Sequence, residues 1–118
     1  HCNLITDQEL SYLKNVKTIN LSYCKEITDI GLSYLENVKN LDLTCCEKIT
    51  DKGIKYLKTI DNIILVCCPR ITDDTLVFLK DIKYIQLSFC CSIHATQIIK
   101  LNNIRKIENC IFKKKYNF

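Results

Sequence analysis

The pattern of hydrophobic and polar positions returns every 22 residues. Leu13, Leu35, Leu57, Leu79 and Leu101 form one column, and Val16, Val38, Ile60, Ile82 and Ile104 a second. Ile19, Leu41, Ile63, Ile85 and Ile107 form a third, followed by Leu21, Leu43, Leu65 and Leu87. Within each period the rhythm changes. Ile19-Asn20-Leu21, Leu41-Asp42-Leu43, Ile63-Ile64-Leu65 and Ile85-Gln86-Leu87 alternate with period two, which predicts short strands with one buried face. Ile5-Thr6-Asp7, Ile27-Thr28-Asp29, Ile49-Thr50-Asp51 and Ile71-Thr72-Asp73 then predict helix starts. The Thr is an N-cap and the Asp meets the positive end of the helix dipole. Ile27 with Leu32, and its equivalents in the other repeats, have the spacing of a hydrophobic staple, and Thr6 with Glu9 that of a capping box. Leu32 and Leu35 should face the core together.

One such unit cannot bury its own apolar stripe, so the units must stack. Strands then lie about 4.8 Å apart in a parallel sheet. Helices are wider than strands, so the stack bends with the sheet inside. Val38 to Ile49 follows L-x-x-L-x-L-x-x-C-x-L nearly position by position, which resembles the leucine-rich repeat. The expected fold is therefore an α/β leucine-rich-repeat solenoid, a horseshoe arc of 22-residue repeats. Its parallel sheet is concave and its short helices lie on the convex side. Residues 1–118 make one domain of about five repeats. The pattern decays near the end, where Ile93-His94-Ala95 replaces Ile-Thr-Asp, and this predicts a C-terminal capping repeat over about 93–118. Cys2 already stands in the cysteine column, so an N-terminal part of the full protein is expected to lie before His1.

Cysteine changes the picture most. Nine cysteines in 118 residues would suit a secreted disulfide scaffold. Yet Cys2, Cys24, Cys46, Cys68 and Cys90 share one column. A parallel stack points such side chains the same way and not at each other, so buried reduced thiols are expected, and an intracellular (cytoplasmic or nuclear) setting with them. No C-x₂₋₄-C pair suggests zinc, and no cofactor is expected. Cys45 and Cys67 sit one position earlier, in a column shared with Tyr23 and Phe89. The net charge of +4 is small, and the lysines fall mostly after the helices and in loops. Nucleic acid would want a basic groove with stacking aromatics, so no nucleic-acid partner is expected. No apolar run reaches the roughly 18 residues of a membrane helix, and no membrane partner is expected.

The concave strand face is the candidate site. Its outward positions are Thr18, Asn20, Ser22; Asn40, Asp42, Thr44; Asn62, Ile64, Val66; and Tyr84, Gln86, Ser88, among which only Asp42 is charged. Ile64 and Val66 are outward aliphatics among Tyr23, Tyr84 and Phe89, the composition of a binding surface. The partner-binding set is Tyr23, Asn40, Asp42, Asn62, Ile64, Val66, Tyr84, Gln86 and Phe89. The alternative is that the C-terminal Phe112, Tyr116 and Phe118 cover this patch. The helix stripe Tyr12, Tyr34, Tyr56 and Phe78 reads as filler between helices. No Cys–His, Ser–His–Asp or carboxylate pair falls on one surface, and no Gly-rich phosphate loop is present, so no catalytic residue is expected and the protein should not be an enzyme.

Cys24-x-x-Ile27-Thr28-Asp29-x-Gly31-Leu32-x-x-Leu35, repeated from Cys46, resembles the cysteine-containing repeat of the F-box/leucine-rich-repeat proteins. That resemblance implies substrate-recognition repeats of an SCF-like ubiquitin ligase adaptor, with ligase subunits bound through a region upstream. The alternatives are a generic scaffold with no ubiquitin role and the docking repeats of a larger enzyme.

Overall fold

The computed structural model describes residues 4–89 and 92–94, and the backbone of 106–108. Four single-turn helices alternate with strands: α1 (Asp7–Leu10), β1 (Thr18–Asn20), α2 (Asp29–Leu32), β2 (Asn40–Asp42), α3 (Asp51–Ile54), β3 (Asn62–Ile64), α4 (Thr75–Phe78) and β4 (Tyr84–Gln86). A fifth strand, β5 (Lys106–Glu108), follows. The sheet is parallel with order β1-β2-β3-β4-β5, and its register pairs Ile19 with Leu41, Leu41 with Ile63, Ile63 with Ile85, and Ile85 with Ile107. Every step is the 22-residue period, so the columns of the sequence are the rungs of the sheet.

The core is the inner stripe of those columns. Leu21, Leu43, Leu65 and Leu87 are buried, with Leu35, Leu57 and Leu79 facing them from the helix side and Cys24, Cys46 and Cys68 filling the turns. The staple residues Ile27, Leu32, Ile49, Ile54, Ile71 and Leu76 belong to the same core. Packing is looser at the first rung, which has a described neighbour on one side only. Leu13 is 37% exposed there, and Val16 and Ile19 are only partly buried. The remainder of the expected capping repeat lies outside the described residues.

The Thr caps form at α2 and α3, where the Thr28 and Thr50 hydroxyls accept the N–H two residues on, each at 3.2 Å. The Thr72 hydroxyl accepts the Asp74 N–H at the same 3.2 Å, but the N-cap of α4 is Asp74 and not the expected Thr72. The Asp that follows each Thr does more than face its own helix dipole. Asp7 accepts the Thr28 N–H at 2.8 Å and its hydroxyl at 2.5 Å, and Asp29 does the same for Thr50, at 2.8 and 2.5 Å. Asp51 repeats the pair with Thr72 at 2.9 and 2.5 Å. At the degenerate fourth step His94 takes the place of Thr. Its N–H donates to Asp73 Oδ1 at 2.7 Å, and its Nδ1 lies 2.5 Å from Oδ2. A ladder of carboxylates thus ties each helix start to the next.

Close approach in this ladder explains both glycines. A Cβ at Gly31 would stand 2.3 Å from Asp7 Oδ1, and one at Gly53 would stand 2.3 Å from Asp29 Oδ1. The same column holds Glu9 in the first repeat and Thr75 in the fourth. Glu9 reaches back to Thr6, accepting its N–H at 2.9 Å and its hydroxyl at 2.6 Å, as the capping-box spacing predicts. Those hydrogen bonds, the hydroxyl's first, hold the Glu9 carboxyl below its ordinary range. Thr75 is fully buried and donates its hydroxyl to Asp51 Oδ1. A side chain where the other repeats have glycine accompanies a change in the turn: α4 begins at Thr75, four residues after Ile71, where α2 and α3 begin two residues after the matching Ile.

Candidate binding surface

The outer face of the sheet carries a second ladder. Asn40 donates from Nδ2 to Thr18 Oγ1 at 2.9 Å, and Asn62 donates to Asn40 Oδ1 at 2.5 Å. These three side chains, with Asn20, Asp42, Ile64 and Tyr84, border an open groove of about 260 Å³ across β1 to β4. The hydrogen-bonded ladder fixes the rotamers of Asn40 and Asn62, so this part of the lining, beside Ile19 and Leu41, is ordered in advance. Asn20 and Asp42 are committed to the turns after their strands. Asn20 Oδ1 accepts the Ser22 N–H at 2.8 Å, and Asp42 Oδ1 accepts the Thr44 N–H at 2.9 Å and hydroxyl at 2.6 Å. Such Asx turns are intrinsic to these residue types. Ile64 has no polar atom in its side chain, so in β3 the same position presents apolar surface.

Of the nine expected partner-contact residues, Asn40, Asp42, Asn62, Ile64 and Tyr84 line this groove together. Gln86 and Val66 are half-buried beside it, Gln86 paired with Ile64 in the sheet register. Tyr23 and Phe89 are not among the groove's lining residues; each follows its strand by three residues and is exposed, 43% and 55%. Thr18 and Asn20, which share the outward face, belong to the groove as well. Ser88, expected to point outward, is instead only 4% exposed, although Ser22, Thr44 and Val66 in its column are half-buried.

The helix stripe departs from its expectation. Tyr34 packs against the core, but Tyr12, Tyr56 and Phe78 are exposed, so the stripe is mostly open surface and not filler. The helices are only one turn long: Tyr12 and Tyr56 fall two residues beyond the ends of α1 and α3, and Phe78 is the last residue of α4.

Tyr23, Cys45, Cys67 and Phe89 share an unexpected backbone state. Their φ angles are 63, 59, 55 and 61°, the left-handed region that bulky residues avoid. Each lies where the chain turns from strand toward core, and three of them donate in register to the next rung: Tyr23 N–H to Thr44 O at 2.7 Å, Cys45 N–H to Val66 O at 2.8 Å and Cys67 N–H to Ser88 O at 2.9 Å. No glycine or asparagine stands here to signal the turn.

The next column is buried. Cys46 Sγ donates to Leu21 O at 3.0 Å and Cys68 Sγ to Leu43 O at 3.1 Å, and none of Cys24, Cys45, Cys46, Cys67 and Cys68 is in a disulfide. These thiols cap strand carbonyls of the preceding repeat. Burial pushes the Cys46 thiol from its ordinary 9.0 up to about 12. Below 9.0 the thiol is protonated in both folded and unfolded chains. Above it the unfolded chain ionises while the folded one resists, so stability should fall as pH climbs through 9.0 toward 12. A Cys46→Ala variant should lose stability less steeply across that window in chemical denaturation at stepped pH. Parallel curves for the two proteins would contradict a desolvated thiol.

Among the described residues no group of three His, Cys, Asp or Glu side chains is placed to hold a metal ion, and no helix is long and apolar enough to cross a membrane. Comparison with known proteins agrees with the repeat geometry. Residues 12–35 and 35–58 each match the family model described as Leucine Rich repeat. A chain in the crystal structure of the Rad7 and Elc1 complex in yeast is similar in fold, with a TM-score of 0.64 at 21% identity. The match covers 79% of this chain and 27% of that one, so the protein described here spans about a quarter of its length. No curated protein sequence matches the chain. Repeats that match that model, stacked in 22-residue register behind one parallel sheet, make this a leucine-rich-repeat solenoid, an architecture that binds other proteins.

Proposed function

We propose that the concave face is a partner-recognition surface, and that these repeats select the substrate of an F-box-type ubiquitin ligase adaptor. The observation that carries the reading is the groove: Ile19, Leu41, Ile64 and Tyr84 line it together with the hydrogen-bonded Asn40 and Asn62, and Tyr23 and Phe89 are exposed on the turns that follow β1 and β4. Preformed side chains lose little entropy on binding. Apolar and aromatic groups inside a polar surround are the usual anchors. The ligase role draws on the resemblance of the Cys-x-x-Ile-Thr-Asp repeats and on likeness to a structure in which Rad7 is held with Elc1. Binding, not catalysis, is the activity on this reading.

The test is affinity capture from cells with the longest natural form of the protein, followed by mass spectrometry. Ligase subunits should co-purify. Replacing Ile64 and Val66 together by Asp should weaken capture of the substrate about 30-fold or more, the loss of a strong anchor. Both side chains are half-buried on the outer face, so the melting temperature should move little. Capture of substrate without any ligase subunit would leave a binding scaffold and remove the ubiquitin role. Unfolding of the double variant would mean that these residues are core.

A further inference from the structure

We propose that Cys45 and Cys67 form a two-thiol site for a bridging thiophilic centre, a trivalent arsenical or soft metal ion that takes two sulfur ligands. The two residues occupy the same position on neighbouring rungs. Cys45 donates its N–H to Val66 O, the residue before Cys67, so the register of β2 on β3 continues to this point. Their φ angles, 59 and 55°, are nearly equal, so the two Cα–Cβ bonds leave the backbone in nearly the same direction. Both residues are half-exposed, in the column that runs from Tyr23 to Phe89.

Parallel thiols one rung apart have a particular chemistry. The rung spacing is about 4.8 Å. A disulfide wants Cβ atoms about 3.8 Å apart and bonds that converge, and these two cysteines are not joined by one. Two cysteines whose Cα–Cβ bonds run parallel one rung apart can instead bring their sulfurs onto a third atom between them by rotation about χ1. Thiolates favour soft centres. Among the described residues no third metal-ligating side chain gathers here, so the class is one satisfied by two sulfurs. With an aryl arsenoxide the step balances without oxidation: two S–H bonds and the arsenic–oxygen bond break, two arsenic–sulfur bonds form, and the oxygen leaves as water with both protons. The neighbouring Cys46 and Cys68 are buried and turned to strand carbonyls, which makes them internal controls.

The experiment treats the full chain with phenylarsine oxide and digests it with trypsin. Cys45 then lies in the peptide Asn40–Lys48 and Cys67 in Thr59–Arg70. Mass spectrometry should find the two peptides joined through one phenylarsenic group. The joined species should vanish in Cys45→Ser and in Cys67→Ser. Cys45→Asn and Cys67→Asn should behave the same, and asparagine tolerates the left-handed backbone, so a folding defect in the serine variants would not obscure the result. Persistence of the bridge in folded single variants, its absence in the native chain, or ready air oxidation to a Cys45–Cys67 disulfide would each overturn the site.

Discussion

Leu43→Ala should lower the unfolding free energy by about 2–5 kcal/mol, the cost of emptying a core leucine site. Leu43 is fully buried, and so are Leu65 and, within 1%, Leu21 on the rungs either side of it. A repeat flanked on both sides cannot collapse into the space, because its backbone is held by the sheet. The Leu43 N–H donates to Ile64 O at 2.9 Å, and its carbonyl receives the Cys46 N–H and the Cys68 thiol, both at 3.1 Å. Moving the backbone inward would break all three bonds. The melting temperature should therefore drop roughly 6 °C or more, given about 3–5 °C per kcal/mol for a domain of this size. The 37% exposed Leu13 supplies the contrast within the same molecule. Its replacement by alanine should cost about 1 kcal/mol, clearly less than Leu43→Ala, since less apolar surface leaves the core and water already reaches the site. Urea unfolding followed by circular dichroism reads both values. Equal costs for the two leucines, or a neutral Leu43→Ala, would contradict the register.

Register was legible because it is written redundantly. Four aliphatic columns and a cysteine column share one interval, and one strand pairing satisfies all of them. The outward side of the sheet follows by alternation, which is why five of the nine expected contact residues line one groove. Features that depend on local backbone state or on a neighbouring repeat were not legible. Tyr23, Cys45, Cys67 and Phe89 take left-handed φ without the glycine that normally announces it. Tertiary pairing of the Tyr23, Cys45 and Cys67 N–H groups with the next rung favours the turn at those three. Asp7, Asp29 and Asp51 read as partners of their own helix dipoles, since cap rules look only a few residues along the chain. Their carboxylates accept from donors 21 residues on, in Thr28, Thr50 and Thr72. A signal was present. Gly31 and Gly53, each two residues after its Asp, are poor helix formers placed inside a helix, and the carboxylate they admit is the reason.

That ladder yields the second large effect. Asp51→Ala should cost about 3–5 kcal/mol, more than Asp29→Ala, because the two carboxylates do unequal work. Asp29 accepts two donors, the Thr50 N–H and hydroxyl. Asp51 accepts the equivalent pair from Thr72 and, in addition, the hydroxyl of Thr75. Thr75 is fully buried, so its hydroxyl has no water to turn to when the carboxylate goes. A buried donor left unsatisfied costs about 1–3 kcal/mol. The excess of Asp51→Ala over Asp29→Ala should fall in that range. Thr75→Gly gives position 75 the glycine that Gly31 and Gly53 supply in the repeats before it, and removes the third donor. In a Thr75→Gly background, Asp51→Ala should therefore cost no more than Asp29→Ala does in the native chain. A double-mutant cycle measured by urea unfolding isolates that coupling. A coupling near zero would mean that Thr75 is held by packing alone, and that the carboxylate ladder carries two bonds at every step.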